Sequence, residues 1–204
     1  MSLKTTALSL LAFSLAGCVS VLPEPVVPDA LYRFTSTSQP MGGAAVSLPA
    51  NIIVFEPEGS SLLLGRSIAF ESEDGALSLL SEAEWSESAS RLLQSALLDR
   101  LSIVAPDSAG VAVDERLTLS AAYELHWTVR DLIIGEENAV MTARVEVLDG
   151  GTGRIVGQTF VTRSETYTGR PDREGTRALI RAARGVVDDI AFQLPGLMTA
   201  AQAS

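Results

Sequence analysis

The chain of 204 residues contains one cysteine, one histidine and one lysine, and each scarcity excludes a class of site. A single cysteine, Cys18, cannot form a disulfide within the chain or supply the several thiolates of a cysteine zinc site. The single histidine, His126, has no second histidine to complete a common metal or acid–base site, and we interpret it as a solvated strand residue. Because Lys4 is the only lysine, "DGGTGR" at 149–154 lacks the Gly-Lys-Ser/Thr end of a phosphate-binding loop and predicts a hairpin turn.

Basic residues are also outnumbered, with 15 Lys and Arg against 25 Asp and Glu, for a net charge of −10. This balance argues against nucleic acid as a partner and against a basic patch that holds anionic lipid, so we expect neither. No G-x-S-x-G nucleophile motif occurs. We interpret the carboxylates of "SEAEWSE" at 81–87 as residues of a helix start, where the helix dipole favours them. The sequence therefore predicts no catalytic residue, no metal site and no enzyme.

The N-terminus explains the lone cysteine. Lys4 precedes "ALSLLAFSLAG" at 7–17, an apolar run shorter than the roughly 20 residues that span a bilayer. The order Leu15-Ala16-Gly17-Cys18 resembles the bacterial lipobox. That resemblance implies a signal peptide at 1–17, cleavage between Gly17 and Cys18, and a diacylglyceryl and an N-acyl lipid (palmitate) on Cys18 as the only added group. The alternative is an ordinary secretory signal with a cysteine by chance.

A proline-rich segment follows the lipidation site. Residues 18–30 carry Pro23, Pro25 and Pro28, which favour an extended tether at roughly 3.1 Å per residue. The residue after Cys18 is Val19, and the lack of aspartate there favours the outer membrane by resemblance to enterobacterial lipoproteins. We expect the chain at the periplasmic face of that membrane.

Residues 31–204 are predicted to form one α+β domain, with a mostly antiparallel sheet and two helices packed on one face. A capping box of Ser81 and Glu84 predicts the start of the first helix, which ends near Leu101. Alternating apolar residues predict strands, and a 3.6-residue period predicts the last helix. The predicted strands lie at 31–35, 51–57, 62–70, 117–129, 139–148 and 154–167, and the last helix at 172–193.

Four arginines of the last helix form a stripe at spacings of 4, 4 and 3, namely Arg173, Arg177, Arg181 and Arg184. Like charges at these spacings cost a few tenths of a kcal/mol per pair. One interpretation is a solvated face paired with nearby carboxylates. The other is a docking stripe for an acidic partner. The residues alone leave both open.

The chain resembles the ABC-type transport auxiliary lipoproteins. The resemblance rests on the lipobox, the proline tether, "LYRF", "IIVFEPEGSSLLLGRSIAF" and "EAEWSESASRLLQSALLDRL", and covers roughly 18–194. It implies a non-enzymatic outer-membrane component that works with an MCE-domain protein in lipid or apolar-solute transport, and copies of the chain that assemble together. The alternative is a stand-alone lipid- or ligand-binding lipoprotein with an apolar pocket.

Overall fold

The computed structural model describes residues 27–36, 40–117 and 120–199, so Gly17 and Cys18 lie outside the described residues. Short elements come first along the chain, and the three longest strands and the longest helix follow. The strands are β1 (Ala30–Tyr32), β2 (Ile52–Val54), β3 (Glu58–Gly59), β4 (Ser67–Glu71), β5 (Leu77–Trp85), β6 (Ala112–Asp114), β7 (Tyr123–Ile134), β8 (Asn138–Asp149) and β9 (Ile155–Thr166). The helices are α1 (Ser61–Leu64), α2 (Ala89–Leu101) and α3 (Thr176–Thr199), with a π-helical turn at Pro171–Gly175 before α3.

Three twelve-residue strands form the predicted antiparallel meander. Every second side chain of β8 is buried, because one face of the sheet meets the helices and the other does not. β7 and β9 pair with β8 on either side in antiparallel register. The hairpin turn predicted from "DGGTGR" is confirmed, since Asp149 accepts hydrogen bonds from the amides of Gly151 and Thr152.

The prediction of a mostly antiparallel sheet is wrong. Among the described residues the sheet has nine strands, and five of its eight strand pairings are parallel. β2, β3 and β4 all lie parallel to the edge of β7 that β8 leaves free. Parallel pairs need crossover connections rather than a tight turn, so no local turn signal indicates them. The α+β class is confirmed.

The predicted start of the first long helix is also wrong. Ser81 and Glu84 lie in β5, which pairs with both β4 and β1. Helix α2 begins five residues after Glu84, and the hydroxyl of the preceding Ser88 caps it by accepting a hydrogen bond from the amide of Arg91. The predicted end at Leu101 is confirmed.

Two strand predictions need new bounds. The segment predicted as a strand at 62–70 begins as helix α1, because the Ser60 hydroxyl accepts a hydrogen bond from the amide of Leu62 and caps a helical turn. The strand predicted at 117–129 begins at Tyr123, and Leu117 instead closes a turn with the carbonyl of Asp114. The alternation of apolar residues therefore extends upstream of Tyr123, where the described residues 120–122 belong to no strand.

Both long helices pack on the same face of the sheet. α3 lies over β8 and β9, and α2 lies beside α3. The apolar arc predicted for the last helix is confirmed, since all of its members are buried: Leu179, Ala183, Val186, Val187, Ile190 and Leu194. Among the described residues no helix is long and apolar enough to cross a bilayer.

Candidate functional site

A groove of about 410 Å³ runs between the chain that follows β1 and the first turns of α3. We call it the arginine groove, and define it by its four basic lining residues, Arg33, Arg177, Arg181 and Arg184. Its remaining lining is mixed, with Tyr32, Phe34 and Ile180 among the apolar residues and Thr35 and Ser36 among the hydroxyls. The groove therefore concentrates positive charge on a protein of net charge −10.

Helical spacing brings three of the four predicted stripe residues into this groove. Arg177, Arg181 and Arg184 share one side of α3, while Leu179 and Ala183 on the other side are buried. Arg173 lies in the π-helical turn, is exposed, and is not among the residues that line the groove. Arg173 therefore lies outside the groove, and the other three arginines of the stripe line it.

Arg184 fixes the wall of the groove. Its two terminal nitrogens donate to backbone carbonyls, one to Phe34 at 3.2 Å and one to Pro40 at 2.6 Å. These bonds tie the chain after β1 to the helix, because a guanidinium can donate in two directions from one rigid fork. Arg184 is therefore mainly a structural member of the groove.

Arg177 and Arg181 remain open to solvent although each has an acidic neighbour. Arg177 lies 3.8 Å from Glu174 and Arg181 lies 3.2 Å from Glu165, with side chains 64% and 52% exposed. Ion pairs this exposed are worth about 0–1 kcal/mol, so a competing carboxylate can replace either partner at little cost.

Arg33 is the member of the groove that sequence reasoning missed. It follows β1 directly, and within the described part of the chain its guanidinium has no ion pair. About 150 residues separate it from the helix it faces, so no spacing rule connects them. The only local signal was a basic residue within "LYRF".

Acidic residues collect around the turns that join β4 to β5 and β7 to β8. The turns before β5 and before β8 bring Glu71, Glu73, Glu136 and Glu137 around one shallow depression. A hydrogen bond from the Ser72 hydroxyl, followed by one from the amide of Ala76, lowers the pKa of the nearby Asp74 carboxyl. Basic and acidic side chains therefore collect in two separate depressions of the described surface.

His126 lies on the helix-free face of the sheet. Its ring stacks on Phe55 with centroids 4.2 Å apart, and its Nε2 lies 3.2 Å from the carboxylate of Glu124. The side chain is 36% exposed. No group of three or more potential metal ligands converges within residues 27–36, 40–117 and 120–199. The contacts of His126 are those of a partly solvated strand residue.

Comparison with known proteins places the chain in context. A family model described as the ABC-type transport auxiliary lipoprotein component matches residues 32–191. A crystal structure of a Xanthomonas campestris protein of the DUF330 family superposes with a TM-score of 0.61 at 16% identity, covering 86% of this chain and 96% of that one. A crystal structure of an uncharacterised protein gives 0.58 at 11% identity, covering 76% and 96%. A search of curated proteins returns no significant match. At such identities the two structures show a shared fold.

Proposed function

The chain belongs to the ABC-type transport auxiliary lipoprotein family, and from that premise we propose that it docks an MCE-domain protein at the outer membrane. In this proposal Cys18 carries the lipid that holds the domain at the periplasmic face. The MCE-domain protein forms the conduit that moves phospholipid or another apolar solute between membranes. The role needs no chemistry from the chain itself.

The arginine groove is the observation that carries the docking role. Arg33, Arg177 and Arg181 present guanidinium groups to solvent beside the hydroxyls of Thr35 and Ser36. Guanidinium forks bind carboxylates through paired, charge-assisted hydrogen bonds. On an acidic protein this is the surface where an acidic segment of a partner meets attraction rather than repulsion.

The position of the groove suits a partner that approaches the membrane. Arg33 comes 15 residues after Cys18, and the predicted tether of 18–30 reaches roughly 35–40 Å when extended. The groove is lined by the first residues after that tether. A bound partner would therefore be held within one tether length of the lipid surface.

Reversal of the two solvent-facing helix arginines tests the proposal. Cells would be cross-linked, membranes solubilised gently, and the protein isolated for identification of its partners by mass spectrometry. We expect the wild type to recover an MCE-domain protein and the Arg177→Glu/Arg181→Glu variant to lose it. Arg66→Glu/Arg154→Glu makes the same charge change at two exposed arginines away from the groove and should keep it.

Two results would contradict the proposal. Equal recovery of the MCE-domain protein by the groove variant would exclude the groove as its docking site. Recovery of bound lipid alone, under conditions that preserve a known bridge complex, would support the stand-alone carrier. The described depressions all include charged residues in their lining, which suits polar partners better than acyl chains.

The anchor is tested separately by Cys18→Ser. Serine cannot form the thioether, so we expect loss of incorporated radiolabelled palmitate and release of the protein from the membrane fraction. Ser20→Ala, two residues further on, serves as a control that should stay bound. Membrane retention of Cys18→Ser would show that another part of the chain holds the lipid surface.

A further inference from the structure

A depression of about 560 Å³ lies on the helix-free face of the sheet, around His126. We call it the glutamate depression and define it by six of its lining residues, namely Phe55, Glu58, His126, Glu146, Leu148 and Ile155. Strand register places these side chains on one face, because paired residues of neighbouring strands point to the same side. None of its lining residues lines the arginine groove, so the two surfaces are separate.

The floor of the glutamate depression is aromatic at one end and aliphatic at the other. Phe55 stacks on the His126 ring, and its backbone is fixed because its carbonyl accepts a hydrogen bond of 2.9 Å from the indole of Trp127. Leu148 and Ile155 pair across β8 and β9, and Ile155 is 53% exposed. The sheet therefore presents apolar side chains to solvent on a rigid support.

Carboxylates supply the charge of the depression. Its described lining includes Glu56, Glu58 and Glu146 but neither lysine nor arginine. Glu146 pairs with Arg144, and Glu56 accepts a hydrogen bond from the hydroxyl of Ser90 in α2. Glu58 is exposed, and among the residues placed by the structure none forms a hydrogen bond or an ion pair with its carboxylate. The carboxylate of Glu58 is therefore available to a cation from outside the chain.

We propose that the glutamate depression binds a short extended segment of a partner protein, with an arginine side chain at Glu58 and an apolar side chain at Ile155. Arginine suits the aromatic end better than lysine, because its planar guanidinium stacks on aromatic rings and donates paired hydrogen bonds to a carboxylate. An apolar side chain that packs on Leu148 and Ile155 removes exposed apolar surface from water. The charge of this segment is opposite to that of a segment that binds the arginine groove.

The dimensions of the depression favour a protein segment over a small ligand. β7 and β8 lie between β3 and β9, so three strand spacings, at least about 14 Å, separate Glu58 from Ile155. An extended segment covers about this distance with two residues four positions apart, whose side chains point to the same side. Small-molecule sites bury most of their ligand, whereas Glu58 and Ile155 leave both ends of this depression exposed.

Peptide binding to the full chain in a neutral detergent tests the proposal. The probe is a labelled, capped peptide in which serine and threonine separate an arginine from a leucine four positions away, and fluorescence anisotropy measures its affinity. We expect Glu58→Gln to weaken binding about tenfold, because a hydrogen bond between charged groups is lost. Glu73→Gln makes the same change at an exposed glutamate outside the depression and should bind the peptide like the wild type.

A neutral version of the peptide separates the ion pair from general electrostatic attraction. Citrulline has the shape of arginine without its charge, so this replacement should weaken binding to the wild type about tenfold. The Glu58→Gln variant should hardly distinguish the two peptides, because the ion pair is already broken. A lysine peptide should bind the wild type less tightly than the arginine peptide, and Phe55→Leu should reduce this preference, since the ring that stacks on the guanidinium is removed.

Several results would overturn the proposal. They are a wild type that binds no peptide, a Glu58→Gln variant that binds as tightly as the wild type or loses no more than Glu73→Gln, and additive losses from Glu58→Gln and citrulline. Agmatine, a small guanidinium compound, would also overturn it by binding as tightly as the peptide, since the depression would then be a small-molecule site. Arg177→Glu/Arg181→Glu should leave peptide binding unchanged, so the result does not depend on the arginine groove.

Discussion

The ion pair between α2 and α3 allows a quantitative prediction. Arg100 of α2 is 3% exposed, and its Nε donates to Asp188 of α3 at 2.6 Å while Nη2 donates to the carbonyl of Ala44 at 2.7 Å. The loop passes the guanidinium at Gly43, where φ is +132° and an added Cβ would lie 2.6 Å from Nη2 of Arg100. Both features favour glycine at this position. One buried cation therefore joins both helices to the loop after Pro40.

Asp188→Asn keeps the shape of this contact and removes its charge. Breaking a fully buried ion pair costs about 3–5 kcal/mol, and an exposed pair is worth about 0–1 kcal/mol. The Asp188 side chain is 46% exposed, so water can solvate part of what the substitution removes. A hydrogen bond to a charged group is worth about 1.5–3 kcal/mol, and we therefore expect a loss of about 2 kcal/mol in the free energy of unfolding.

Urea unfolding of the full chain at fixed protein concentration measures this loss. The midpoint should fall while the slope stays constant, because the substitution changes stability and not the surface exposed on unfolding. Arg100→Met should cost a similar amount, and adding Asp188→Asn to it should cost little more, since the pair is already gone. A loss under about 0.5 kcal/mol for Asp188→Asn, or full additivity of the two substitutions, would refute the role given to this pair.

Two further predictions concern packing and pH. Gly175→Ala places a Cβ 2.7 Å from Ile134 and should cost about 1–3 kcal/mol by urea unfolding, whereas Gly196→Ala meets nothing within 4 Å and should stabilise α3 by up to about 1 kcal/mol. The hydrogen bond that Asp149 accepts from the Thr152 hydroxyl is the main cause of the lowered pKa of this carboxyl. The Asp149 carboxylate therefore stabilises the fold above the ordinary aspartate pKa, and this stabilisation is lost as the pH falls through the lowered pKa. Asp149→Asn should therefore be less stable than wild type at pH 7 and converge with it at acid pH; a constant difference would contradict this.

Local periodicity predicted the parts of the fold that local residues determine. The alternation along β8 and the apolar arc of α3 each place one face against the core whatever else surrounds them. Three of the stripe arginines meet in one groove for the same reason, because spacings of 4 and 3 fix their common side of the helix. Whether that groove binds a partner is a separate question that spacing does not answer.

The failures arose where distant residues decide the structure. Ser81 and Glu84 match a helix start, yet residues 77–85 pair with β4 and β1, and these long-range bonds override the local signal. The parallel pairings join strands separated by many residues, and Arg33 reaches α3 across about 150 positions. Single-sequence periodicity contains no information about such distances.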